Sequence, residues 1–272
     1  MERALYLDPV SGISGNMFVG VLLDLGVPQI WLINELQKLG LDDYELIFEK
    51  VNKRGITATY FNVDVQETTT HRHLPDILTI LARADWSGSA KQRAASIFWS
   101  LALAESRAHG IAPEDVHFHE VGAVDCIIDC ASIALGLEYL DIDIVLTGPV
   151  ATGSGTIRAA HGELSVPAPA TQFLLQGFPT ITGTPDYELT TPTGAAALAT
   201  FAVPVEKRPS KLVIDRVGYG AGTYDLTVSN TLGGYYGQLL PMQQWAGTGA
   251  LHFRPKPLKF CDIATFCYVT FL

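Results

Sequence analysis

The sequence predicts an α/β fold, a mixed sheet with flanking helices, on three observations. Short β-prone runs alternate with longer runs whose apolar residues recur at helical spacing. The chain opens with a strand, a loop of small residues and a helix in direct succession. Hydrophobic residues make up 48% of the 272 and charged residues 17%, which supplies a large core and excludes a charge-extended disordered chain. Pattern alone leaves the strand order undetermined.

The elements follow in order. Alternation over Leu5 to Asp8 predicts a strand, and Phe18, Val21, Leu22 and Leu25 mark one face of a helix. A second helix opens with Pro28 in its first turn, buries Trp31, Leu32 and Leu36, and stops at Gly40. Tyr44 to Val51 and Ile56 to Val65 read as a hairpin turning at Lys53-Arg54-Gly55. Helices are expected over Leu74 to Ala84, Ser89 to His109 and about Gly122 to Leu140. Beyond Ile142 the texture changes to a short strand over Ile144 to Thr147, then Gly-, Pro- and Thr-rich loops with brief helices at Ala170 to Gln176 and Gly194 to Phe201. Strand-like Lys211 to Val217 runs into Gly218-Tyr219-Gly220-Ala221-Gly222, which alone signals a tight backbone turn.

The net charge of −10 repels a phosphate backbone, so nucleic acid is not an expected partner, and an acidic field favours cations. No apolar run reaches the roughly 18 residues of a spanning helix, and the start has no secretory pattern, so a soluble cytoplasmic protein without a membrane partner is expected. Cys126, Cys130, Cys261 and Cys267 show no zinc-ribbon spacing and are expected to be reduced.

The sharpest chemical constellation is Val116-His117-Phe118-His119-Glu120-Val121-Gly122-Ala123-Val124-Asp125. Two imidazoles one residue apart share a face on an extended segment, and Glu120 and Asp125 add carboxylates, a donor set suited to zinc, nickel, copper or iron. Solvent-exposed loop histidines are the competing account. His71-Arg72-His73 repeats the spacing, with Asp76 a turn into the next helix, and His161 sits in a predicted turn. Asp125, Asp129, Ser132 and Gly136 make one polar, narrow helix stripe, which either lines a cleft or faces solvent.

Two loops offer backbone amides to an anion. Ser11, Gly12, Ser14 and Gly15 precede the first helix, and Thr191-Pro192 can cap a helix so that the amides of Thr193 and Gly194 point outward. The lysine of a nucleotide-binding phosphate loop is absent, and Asp8, at the strand end, can position a divalent ion or a proton.

At these motifs the chain resembles the LarC nickel-insertion family. YLDPVSGISGNMF, HRHLPDI, VHFHEVGAVD, GSGTIRAAHGELSVPAPAT, ELTTPTGAA and GYGAG stand in the family's order, across roughly residues 3–232. The resemblance implies CTP-dependent insertion of nickel into pyridinium-3,5-bisthiocarboxylic acid mononucleotide, completing the nickel-pincer cofactor of lactate racemase, with Mg or Mn accompanying CTP. Carried over by motif, His117, His119, Glu120, Asp125, His71, His73 and His161 become the metal candidates, beside the catalytic candidate Asp8 and the phosphate contacts Ser11, Gly12, Ser14, Gly15, Thr193 and Gly194 read from the strand end and the two loops. A nickel chaperone or store without turnover, and a phosphohydrolase using Asp8, are the rival readings.

Residues 1–237 therefore read as a LarC-like metal-binding module with a subdivision near 141, and 238–272 as an atypical, poorly ordered tail. The last 35 residues hold three of the 18 basic and one of the 28 acidic residues, so the tail is +2 and the rest −12. The tail is expected to come from an alternative or truncated reading frame, with a C-terminal LarC domain supplied in trans or in a full-length fusion.

Overall fold

The computed structural model describes residues 2–42, 44–65, 72–118, 124–159, 162–183 and 186–240. Strand β1 (Glu2–Asp8) is followed by α1 (Gly15–Asp24), α2 (Gln29–Gln37) and the hairpin β2 (Tyr44–Lys53) and β3 (Ile56–Val65). Then come β4 (Arg72–His73), α3 (Leu74–Arg83), α4 (Gly88–His109), β5 (His117–Phe118) and α5 (Val124–Tyr139). Four short strands follow: β6 (Ile144–Thr147), β7 (Val150–Gly153), β8 (Thr156–Ala159) and β9 (Gly162–Ser165). The rest comprises α6 (Pro169–Leu174), β10 (Thr180–Thr182), α7 (Pro192–Phe201), β11 (Ala202–Pro204), β12 (Leu212–Ala221) and β13 (Thr231–Leu239).

Seven strands form one mixed sheet in the order β11-β6-β1-β13-β12-β3-β2. β11, β6 and β1 run parallel, while β13 pairs antiparallel with both β1 and β12. The side chains of β1 divide between the two faces. Leu5 and Leu7 enter the main core with α1 and α5, whereas Ala4 and Tyr6 join Leu146 and Leu212 in a small cluster made of strand residues alone.

Helix α1 lies directly on the sheet because glycines remove the side chains between them. A Cβ on Gly20 would stand 2.5 Å from the Thr59 carbonyl and 2.9 Å from Gly220 Cα, and one on Gly220 would overlap the Met17 carbonyl. This overturns the turn expected at Gly218 to Gly222: β12 continues through Gly220, whose missing side chain serves packing and not a bend. β13 had no counterpart in the sequence reading. Gly233, Gly234 and Gly237 mask its β-character, yet it is the central partner of β1 and β12.

Helix signals were more direct. Ser14 and Ser87 cap α1 and α4 by accepting from Met17 N and Ala90 N, and α4 ends at Gly110 with a left-handed φ of 69°. Pro28 is the residue before α2 and not within its first turn. Among the described residues no helix is long and apolar enough to cross a membrane.

Candidate functional site

Three segments meet around a cavity of about 300 Å³. The start of α1 contributes Ser14, Gly15 and Asn16, the start of α5 contributes Asp125, Cys126 and Asp129, and the start of α7 contributes Thr191, Pro192 and Thr193. Asn62 and Val63 of β3 and Glu188 complete the lining. Three helix N-termini thus converge on a space that already contains three carboxyl groups.

Asp129 occupies the position that an external anion would take at α1. The Asn16 backbone amide donates to its carboxylate, and a Cβ on Gly15 would overlap that carboxylate. Burial pushes the Asp129 carboxyl well above the usual range, the negative Asp125 adds to the rise, and the Asn16 hydrogen bond opposes it. Its Oδ1 is buried with no hydrogen-bond partner among the described residues. Asp125 is also raised, first by burial and against hydrogen bonds from its own amide and that of Cys126.

The polar stripe on α5 is therefore neither wholly a cleft lining nor a solvent face. Asp125 and Asp129 open to the cavity, while Ser132 is buried and a Cβ on Gly136 would come within 2.8 Å of Leu22 Cδ1. The outer part of the stripe lines the space, and the inner part lets α1 approach. Cys126 and Cys130 are free thiols with sulfurs 4.0 Å apart, and Cys126 Sγ lies 3.4 Å from Thr193 Oγ1. Burial pushes the Cys130 thiol well up, with the Cys126 hydrogen bond and nearby negative charges adding to it.

Two of the amides in the candidate anion loops are engaged within the protein, that of Gly12 donating to the Pro9 carbonyl at 3.0 Å and that of Gly194 to Thr191. Thr191 Oγ1 accepts from Gly194 N at 3.3 Å, so the Gly194 amide expected to be outward-facing closes the cap instead. A Cβ on Gly12 would overlap the Leu189 carbonyl, and one on Gly194 the Ile13 carbonyl. These glycines fit the loop before α1 against the start of α7. Ser11 Oγ donates to the Ser229 carbonyl at 2.7 Å and lines a different cavity from Ser14, Gly15 and Thr193.

The two histidine segments meet as a short antiparallel ribbon. β4 pairs with β5 so that Arg72 stands opposite Phe118 and His73 opposite His117. The Asp76 carboxylate accepts from the His73 backbone N–H at 2.9 Å and fixes the entry to α3. His71, His119, Glu120 and His161 lie outside the described residues. Among the described residues no three His, Cys, Asp or Glu side chains are arranged to hold a metal ion. Asp8 does not line the cavity; it shares the sheet face of Tyr6, away from the main core.

The family profile described as "Nickel insertion protein" matches residues 5–248. The chain belongs to the nickel insertion protein family. It is 47% identical over 234 residues to the pyridinium-3,5-bisthiocarboxylic acid mononucleotide nickel insertion protein of Geobacillus kaustophilus, covering 82% of this chain and 57% of that protein. Proteins of the same name from Desulfitobacterium hafniense (strain DSM 10664 / DCB-2) and Thermotoga sp. (strain RQ2) are 44% and 42% identical. These alignments cover 85% and 89% of this chain, and 57% and 63% of the relatives. The chain spans a little over half the length of the curated relatives it matches. No solved structure matches it.

In this member of the nickel insertion family, sequence reasoning missed Asn62 and Glu188. Asn62 sits on a strand recognised only for its β-branched and aromatic residues, and Glu188 opens the ELTTPTGAA motif, which is read only for its helix cap. The Thr190 side chain, which donates to the Ala151 carbonyl at 2.6 Å, helps hold the segment that carries Glu188.

Proposed function

We propose that this chain is the metal-binding module of a nickel insertase, acting as a nickel chelatase on pyridinium-3,5-bisthiocarboxylic acid mononucleotide. The observation that carries the reading is the β4–β5 register, which sets His73 opposite His117. Opposed residues of an antiparallel pair have backbones about 4.5–5.5 Å apart, so the register brings the two histidine segments side by side. His71, His119, Glu120, Asp125 and His161 are the further proposed ligands.

The cavity supports a cation more strongly than a phosphate. Asp125, Asp129 and Glu188 make its lining acidic, and Asp129 already satisfies the start of α1. Ser14, Gly15 and Thr193 remain the proposed phosphate contacts at its rim, with Ser11, Gly12 and Gly194 shaping the loops behind them. CTP with Mg or Mn belongs to the proposal through the resemblance; the cavity carboxylates are oxygen donors of the type such ions prefer. A C-terminal LarC domain completes the activity, in the cytoplasm, toward the lactate racemase cofactor.

The test incubates the chain with nickel, the mononucleotide and CTP, with and without an added C-terminal domain. Metallated nucleotide formed with the added domain supports the insertase. Nickel bound without any metallated nucleotide would make the protein a chaperone or store, and phosphate release without nickel uptake would make it a phosphohydrolase.

A further inference from the structure

Helices cover the large sheet on one side. Residues of α1 to α7 all join the main core, whereas the cluster on the other face, Ala4, Tyr6, Leu146 and Leu212, has no helical member among the described residues. Val205, just past β11, packs on that cluster, and the Arg208 guanidinium lies 4.6 Å from the Tyr235 ring centre, so the β1 side of this face is covered. The β12 side is not. Ile214 is 37% and Val217 45% exposed, although β12 is an interior strand between β13 and β3.

Register places Ile214 opposite Gly237 and Val217 opposite Tyr235, which pair in turn with Ala4 and Tyr6, so both project to the helix-free face. Residues three apart in a regular strand would fall on opposite faces. The register shift between Ile214 and Arg216 makes Asp215 the extra residue of a bulge and brings the two to the same face. Arg216 between them points the other way: its guanidinium lies 4.5 Å from the Tyr236 ring centre and donates to the Leu25 carbonyl at the end of α1. β12 thus turns its cation to the helices and branched apolar side chains to solvent, the reverse of a strand whose free face meets water. With the half-buried Tyr219 and Tyr235 beside them, Ile214 and Val217 form a contiguous apolar patch of the kind that marks an interaction site.

We propose that this face, centred on Ile214 and Val217, docks the C-terminal domain of the longer relatives through apolar side chains of that domain. The proposal rests on the part of the functional reading that gives the activity to this chain together with such a domain. Two observations favour that occupant. The matched part is 57% of the Geobacillus kaustophilus relative and 63% of the Thermotoga one, which leaves a domain-sized remainder outside the match. The described chain also leaves β13 beside the patch: the Leu240 amide donates to the Lys211 carbonyl at 3.2 Å, and Lys211 precedes Ile214 by three residues, about 10 Å of strand. A domain joined after β13 therefore starts next to the face it would cover.

The test mixes the 272-residue chain with the separately made C-terminal domain of the Geobacillus kaustophilus relative and follows binding by calorimetry and sedimentation. Ile214→Lys with Val217→Lys should weaken binding about thirtyfold or more, because the charges enter a dry contact. The conservative Val217→Ile should leave it unchanged, as should Ile30→Lys, at an exposed position on α2 in the helix layer. Circular dichroism checks that each variant is folded. Absence of binding by the folded parent chain, equal binding by parent and the folded double variant, or an equal loss in Ile30→Lys overturns the proposal. Self-association of the parent chain that the double variant abolishes gives the face to a second copy and overturns the assignment to the domain. Nickel uptake is measured on the same samples. Uptake without domain binding overturns this interface and leaves the metal reading, whereas domain binding as described without nickel uptake sinks the metal reading and leaves the interface standing.

Discussion

Gly15 shows how one residue can carry a burden beyond the one its motif suggests. In a loop of small residues its backbone invites a phosphate, and the space left by its missing side chain takes the Asp129 carboxylate. Gly15→Val should therefore cost about 1–3 kcal/mol of stability through overpacking, read as a lower urea midpoint. Adding Asp129→Ala should return part of that loss, because the two residues touch. Equal losses in single and double variants would mean that the contact does not limit α1.

Asp129 itself predicts a pH dependence. Its carboxyl is raised in the folded state, so between the unfolded and folded values the native chain binds more protons than the unfolded one. Its contribution is thus most favourable in acid and is lost as pH rises through the folded pKa. Asp129→Asn should remove this decline, so the variant gains on the parent progressively as pH rises above about 4. Urea midpoints of both chains over a pH series check it; a constant difference would contradict the assigned shift.

Among the elements, those with a local signal were legible in the sequence. α4 announced itself by Ser87, by its apolar face and by Gly110, and the β2–β3 hairpin by its β-branched runs and glycine turn. β13 and the end of β12 were not, because their glycines answer to α1 crossing above them. That requirement is tertiary and leaves no local periodicity. Likewise the α5 stripe left open whether it lines a cleft or faces solvent and did not show that Asp129 serves α1, whereas the pairing of the two histidine segments follows from register, which spacing within either segment cannot give. Gly220→Val should be strongly destabilising, by about 3 kcal/mol or more, since its side chain would meet the Met17 backbone carbonyl rather than a movable side chain. Thermal unfolding of the variant measures it, and a parent-like Tm would show that α1 sits farther from the sheet.

For the whole molecule, the proposed function divides the labour between this chain and a C-terminal domain. β13 runs to Leu239, and Leu240 N bonds to the Lys211 carbonyl, so a chain ending at Leu240 retains every described strand. Such a chain is expected to keep its circular dichroism spectrum and its nickel uptake. Metallated nucleotide should form only when the C-terminal domain of a longer relative is supplied. Efficient insertion by the 272-residue chain alone, abolished by the truncation, would place the missing function in residues 241–272 instead.

The most direct measurement is X-ray absorption at the nickel edge on the chain loaded with less than one equivalent of nickel. The account predicts the multiple-scattering signature of imidazole ligands, and its loss together with most nickel uptake in the folded His117→Ala, His119→Ala double variant. A nickel site without imidazole scattering, or unchanged uptake by that variant, would contradict the assignment of the histidine ribbon as the metal centre.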